Sequence, residues 1–318
     1  MKKFWLAPVL IIWFSVTSYA QSTFKNEFGF QTENDAYLGT KQDKYYTNGL
    51  TVTFRHATDQ SKLKKKLNKK IWELEFGHKM YTPYTAHITS ISKVDRPFAA
   101  YLYFGGGLNW LYHSENSLKL TIQGGTIGPA ALGEEVQVML HDFIGFYPIA
   151  GWEYQLNNAP GINTTLSYNH FLHRNKLNNT DFTLTSYINA GNTFAGAGVG
   201  VLFRTGNLNQ FYNSVSTNSV ITNNSSSAPL HDRELFFFVK PSLNLVAYDA
   251  TIQGGMFAED KGPVTYDVKP VVFSQELGVN YAKNRWTVNF ALTFKSKELK
   301  SSAKPDQYGS IGIYYRLN

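Results

Sequence analysis

Residues 47–57 read T-N-G-L-T-V-T-F-R-H-A, and their alternation decides the fold. On an extended chain Leu50, Val52 and Phe54 share one side, while Gly49, Thr51, Thr53 and Arg55 share the other. The same period of two recurs at Phe28, Phe30 and Thr32, at Trp72, Leu74 and Phe76, and at Leu118, Leu120 and Ile122. A wall apolar on one side and polar on the other, about ten residues tall, suits a barrel between lipid and a wet lumen. A water-soluble sandwich would show the same alternation.

Working outward, twelve such segments are counted: 24–34, 47–57, 70–80, 98–113, 117–127, 161–173, 178–190, 194–205, 234–248, 267–283, 284–297 and 306–317. The fold class expected is all-β, a transmembrane antiparallel barrel of about twelve strands with a short helix in an extracellular loop. Short connections such as 114–116 and 282–284 then belong to the periplasmic side. Two periplasmic connections are longer, a lysine-rich turn and the Ser- and Asn-rich stretch 206–233, and mobility is expected of the second.

Composition favours the barrel over the sandwich. Aromatic residues make up 15% of the chain, with 20 Tyr and 23 Phe. Residues 1–20 carry Lys2 and Lys3, an apolar core from Phe4 to Val16, and small residues at Ser18 and Ala20, the pattern of a cleaved signal peptide. The expected organisation is a signal peptide over 1–20 and an outer-membrane barrel over 21–318, in a Gram-negative cell. No cysteine is present, which excludes a lipoprotein anchor and any disulfide. Without Lys2 and Lys3 the formal charge falls from +7 to +5, and six lysines crowd into Ser61–Lys70. An excess so local, in an exported chain, argues against a nucleic-acid partner.

A second stretch stands apart from the alternation: G-P-A-A-L-G-E-E-V-Q-V-M-L-H-D-F, residues 128–143. Val136, Met139, Leu140 and Phe143 fall at helical spacing as one apolar stripe, with Glu134, Gln137 and His141 on the opposite face. Gln137 and His141 are four apart and within reach of each other. The barrel topology brings this helix to the same outer rim as Asn34, Asp35, Thr47 and Arg96. Asn34 and Asp35 supply hard oxygen donors that suit Ca²⁺, whereas a lone histidine without cysteine disfavours zinc. An Asn-Asp pair is also a common turn element, and ordinary polar loop chemistry remains the plain alternative. A calcium ion beside an imidazole would make a hydrolase, and no serine stands in a nucleophile-elbow setting.

Several runs carry a resemblance. F-x-x-E-N-D-x-Y and D-K-Y-Y-T-N-G-L within 30–50, D-R-P-F-A-A-Y-L-Y at 95–103, and the His-bearing segment 128–145 are similar to the outer-membrane lipid A 3′-O-deacylase family. Residues 148–161, R-T-G-N at 204–207 and F-K-S-K-E-L at 294–299 resemble it too, so the likeness spans nearly the whole mature chain. The resemblance implies a twelve-stranded barrel with its site between the wall and a loop helix, and Ca²⁺ and a histidine-activated water as in calcium-dependent phospholipase A2. It assigns the base to His141 and the metal to Asn34 and Asp35, with Arg96 near the substrate phosphates. Thr47, Gln137 and Glu134 are the remaining expected substrate contacts, and Glu134 or Glu135 is a candidate for the family's further acidic residue. Phe98 and Ala100 depart from the Tyr and Gly expected there. The expected activity is therefore calcium-dependent ester hydrolysis on lipid A, by a monomer facing lipopolysaccharide in the outer leaflet. An outer-membrane phospholipase, or a non-enzymatic pore or adhesin, are the alternatives.

Overall fold

The computed structural model describes residues 24–39, 43–225 and 227–318, so the expected signal peptide lies outside the described residues. Twelve antiparallel strands close into one barrel, each paired with its sequence neighbours and β1 with β12. They are β1 (Asn26–Asn34), β2 (Tyr45–Ala57), β3 (Leu67–Thr82), β4 (Ala99–Tyr112), β5 (Ser117–Ile127) and β6 (Ala159–Arg174). The circuit continues through β7 (Thr180–Gly191), β8 (Phe194–Asn207), β9 (Arg233–Asp249), β10 (Val271–Lys283), β11 (Trp286–Lys295) and β12 (Asp306–Leu317). Closure leaves no sheet edge unpaired, which is what a lipid environment demands of strands. Two helices sit at the outer rim, α1 (Gly133–Ile144) and the single turn α2 (Ala250–Gln253).

Register decides which residues meet lipid. Phe30 pairs with Val52, Val52 with Phe76, Phe76 with Phe104, and Phe104 with Gly124, a row running round the outside. Phe30, Phe76 and Phe104 are all exposed on that face. One residue along each strand the side chains turn inward, and there charges pair. Arg55 binds Glu27 and Glu73 at 2.8 Å each, and Lys119 also meets Glu73. Arg55, Glu73 and Lys119 line a polar cavity of about 770 Å³.

The stretch 206–233 corrects an expectation. Instead of a mobile loop, its described residues fold back into the barrel's periplasmic mouth as a plug. Leu208, Phe211 and Val215 pack against the inward-facing Leu202, Phe236 and Phe238. Several of the Ser and Asn side chains there bond buried groups. Ser214 Oγ donates to Glu234 Oε1 at 2.7 Å and accepts from Arg204 Nη1 at 2.7 Å. Lys69, one of the six lysines of the basic turn, is fully buried and donates to Asn213 Oδ1 and the Ser219 carbonyl.

Candidate active site

Helix α1 lies on the outside of the wall. Leu74 and Phe76 of β3 face outward, so alternation turns His78 and Met80 outward too, as it does Ala100 beside Leu102 and Phe104 of β4. Yet Met80 and Ala100 are fully buried, because the segment 131–152 covers them. Val136, Leu140 and Trp152 pack onto that patch. Gly133 permits the approach: a Cβ there would stand 2.4 Å from the Trp152 ring and 2.7 Å from the Ala100 Cβ. His78 ties the turn before the helix to the wall, with Nε2 at 2.7 Å from the Ala131 carbonyl.

The helix is rotated part-way from the orientation its pattern suggests. Gln137 and His141 are buried against the barrel, whereas Met139 is 61% and Phe143 90% exposed. Only Val136 and Leu140 of the apolar stripe reach the core. The reason is the solvent: a helix lying on a membrane wall has apolar surroundings outside, so the apolar face need not turn inward. Glu134 is exposed with Glu135 and does not join Gln137 and His141; both stand in the first turn, where their charge suits the helix dipole.

At the other end of α1, Gly145 adopts a left-handed φ of 79°, and the amides of Gly145 and Phe146 both bond the His141 carbonyl. That cap turns the chain back, so the Tyr147 carbonyl comes to 2.8 Å from His141 Nδ1. A carbonyl only accepts, so Nδ1 carries the hydrogen and Nε2 is the nitrogen that handles the second proton. Nε2 lies 2.9 Å from Asp43 Oδ2, and that oxygen also accepts from the Tyr147 hydroxyl at 2.8 Å. Burial, and then the charge of Asp43, push the Tyr147 phenol up to about 12, so it remains a donor.

Asp35 completes the group. It opens a 3-10 turn, Asp35–Leu38, whose preceding Asn34 accepts from the Ala36 amide at 2.7 Å. The carboxylate of Asp35 accepts from the Lys44 amide, which holds the two ends of the loop together beside Asp43. Its carboxyl is raised from 3.8 to about 8, first by burial and next by the like charge of Asp43. Thr47 sits at a bulge between Tyr46 and Asn48, buried, with its hydroxyl 2.6 Å from that of Thr82. Arg96 is placed elsewhere. Its guanidinium is buried, donates to Thr251 Oγ1 at 3.0 Å and lies 4.2 Å over the Tyr81 ring, anchoring α2 rather than facing His141.

The structure thus brings together His141, Asp35 and, one turn from His141, Gln137, whose Oε1 accepts from Trp152 Nε1 at 2.8 Å. It adds Asp43 and Tyr147, which sequence reading did not single out. Asp43 heads the D-K-Y-Y-T-N-G-L run and was legible as a motif residue, but nothing in the sequence marks Tyr147. Among the described residues no three His, Asp or Glu side chains converge into a ready cation cage. Two buried carboxylates raising each other's energy, with hydroxyl and carbonyl oxygens nearby, nevertheless match a hard divalent cation in chemistry.

The sequence model of the family described as outer membrane protein LpxR matches residues 6–317. Among solved structures, LpxR from Salmonella typhimurium is similar over 92% of this chain and 100% of its own, at 19% identity and a TM-score of 0.70. The beta domain of the Bordetella autotransporter BrkA is similar over 93% of this chain and 100% of its own, at 9% identity and a TM-score of 0.48. No curated protein matches by sequence.

Proposed function

The chain belongs to the LpxR family of outer membrane proteins, and from that premise we propose that it is a lipid A deacylase of the outer leaflet, a calcium-dependent carboxylic ester hydrolase. One observation carries the reading: Asp43 bonds His141 on the helix α1, which packs over Met80 and Ala100 on the outward side of the wall. A site there meets acyl esters of membrane lipids. The pore alternative is disfavoured by the folded plug in the periplasmic mouth.

The chain's own residues supply the acid–base chemistry. The Tyr147 carbonyl fixes the His141 tautomer, so Nε2, beside Asp43, is the nitrogen that would polarise an attacking water. Nε2 takes the proton as the water oxygen attacks the ester carbonyl, and Asp43 stabilises the imidazolium that results. The imidazolium then returns its proton to the leaving alkoxide, giving a free fatty acid and a sugar or acyl-chain hydroxyl. Asp35 and Asp43, with Asn34 and Thr47 adjoining, are the residues that would hold Ca²⁺. Bound there, it supplies Lewis-acid stabilisation of the oxyanion. Gln137, held by Trp152, sets the depth of α1 against the wall.

The test is mass spectrometry of lipid A from cells with and without the chain, alongside cells carrying His141→Ala. Loss of one acyl group, at the 3′-O position by the family resemblance, is expected only with the wild type. Unchanged lipid A, with glycerophospholipids cleaved instead, would move the substrate to phospholipids.

A further inference from the structure

Beside the acidic centre, at the extracellular rim, lies a second and different depression. It has a volume of about 280 Å³ and is lined by Lys44, Tyr45, Tyr84, Asp95, Ser302 and Lys304. Pockets for drug-sized ligands run to about 300–1,000 Å³, so this one suits a single small polar group. Lys44 is the residue whose amide holds Asp35, which fixes the depression next to the proposed reaction centre.

Its construction is rigid. Tyr45 has a left-handed φ of 61°, a conformation a bulky residue adopts only when its surroundings hold it there. The hydroxyl of Tyr45 donates to Asp95 Oδ2 at 2.9 Å and accepts from the Lys304 amide at 2.7 Å. The other Asp95 oxygen accepts from the Tyr84 amide at 3.0 Å. The one carboxylate in the depression is thus occupied by its walls. Among the described residues neither lysine ammonium has a carboxylate within ion-pair distance. Among the described residues Lys44 Nζ rests at 5.0 Å over the Tyr45 ring and has the Pro305 carbonyl at 3.4 Å as its polar partner. Two unneutralised cations at the mouth of a preformed depression make a site for an anion.

We infer that Lys44 and Lys304 form a phosphate subsite that takes a phosphomonoester of the substrate's sugar headgroup while the acyl chains lie along the wall beneath α1. The inference rests on the lipid A reading above. It also follows the amphiphile's orientation, because the depression lies at the extracellular rim and the acyl-facing wall below it. Arg96, whose guanidinium is already bonded to Thr251, leaves this task to the two lysines. Tyr84, exposed at the edge, offers a ring face to the sugar.

The experiment is binding by the full chain in detergent micelles, with barrel folding checked by heat-dependent gel mobility. Bisphosphorylated lipid A, the same lipid stripped of phosphate, and inorganic phosphate are titrated against wild type, Lys44→Gln, Lys304→Gln and the double variant. Glutamine at 44 keeps the amide that bonds Asp35, and Lys300→Gln serves as a control for general surface charge. The double variant should bind the phosphorylated lipid about 10- to 30-fold more weakly, given the strength of charge-assisted hydrogen bonds at a partly open site. It should bind the stripped lipid as wild type does, and in turnover KM should rise with kcat unchanged. Equal loss on both lipids, or equal loss from Lys300→Gln, would overturn the subsite. Inorganic phosphate binding as tightly as the lipid would overturn the headgroup assignment and leave a free-anion site. If phosphate discrimination depends on the two lysines but no acyl chain is released, the subsite stands and the deacylase reading fails.

Discussion

The two ends of this barrel use loops in opposite ways. At the periplasmic end the described residues of 206–233 turn inside the wall, among buried ion pairs. Asp181 binds Arg204 at 2.6 Å and Arg174 at 2.9 Å, Arg174 binds Glu115 at 2.7 Å, and Arg204 stacks on Phe211 with its guanidinium 3.9 Å from the ring centre. At the extracellular end α1 lies outside the wall, and the buried Asp35 and Asp43 are close enough to raise the Asp35 carboxyl, with Asp43 bonded to His141. The first arrangement spends its polar groups on holding shape. The second holds two buried acids beside an imidazole, which costs stability and keeps the groups available for chemistry.

The comparison breaks most easily at His141. A positioned base contributes roughly 10²–10⁴-fold, so His141→Ala should lower the deacylation rate by that factor, about 3–5 kcal/mol. The temperature of heat-dependent gel mobility should stay near that of wild type. A variant within tenfold of wild-type activity would assign the base elsewhere.

The plug gives the converse. Arg204→Met leaves Asp181 and Glu234 buried without that cation and should cost about 3–5 kcal/mol of stability. Denaturation in urea would register it, while activity per folded molecule should change little. A large loss of activity in fully folded barrels would show that the two ends are coupled.

Protons sharpen the contrast. In the metal-free fold Asp35 keeps its proton up to about 8, while the ordinary carboxyl loses it near 3.8. Between those values the folded state binds more protons than the unfolded, so metal-free stability should fall as pH rises through the window. Calcium must displace that proton, so its stabilising effect on the melting temperature should grow with pH over the same range. Asp35→Asn should flatten both slopes, and a calcium effect independent of pH would remove Asp35 from the cation site.

The smallest effect expected is that of Tyr147→Phe. It deletes the hydrogen bond to Asp43 but keeps the carbonyl that fixes His141, so about 0.5–1.5 kcal/mol of activity is at stake. A loss as large as that of His141→Ala would make the hydroxyl a proton carrier.

Much of the wall was legible and much of the site was not. Alternation locates each strand to within a few residues because lipid on one side and water on the other impose period two on Leu50–Arg55 and its counterparts. The helix was legible as a helix, but its direction was not. Apolar spacing predicts a buried stripe only where the surroundings are water, and here Met139 and Phe143 face outward. The plug was misread for a related reason: Ser and Asn signal mobility only when nothing buried needs their hydrogen bonds, and Arg204, Glu234 and Lys69 do.

By itself, then, the sequence determined the strand count, the barrel, and the candidacy of His141, Asn34 and Asp35, since these depend on local period and on residue type. Tertiary structure alone decided that Asp43 and Tyr147 meet His141 and that Arg96 turns to Thr251. It also decided that α1 lies against the outward-facing Met80 and Ala100 of the wall. Those outcomes hang on closing loops of different strands over one wall, and the distance between residues 43 and 141 is written in the register of four strands, not in the residues between them.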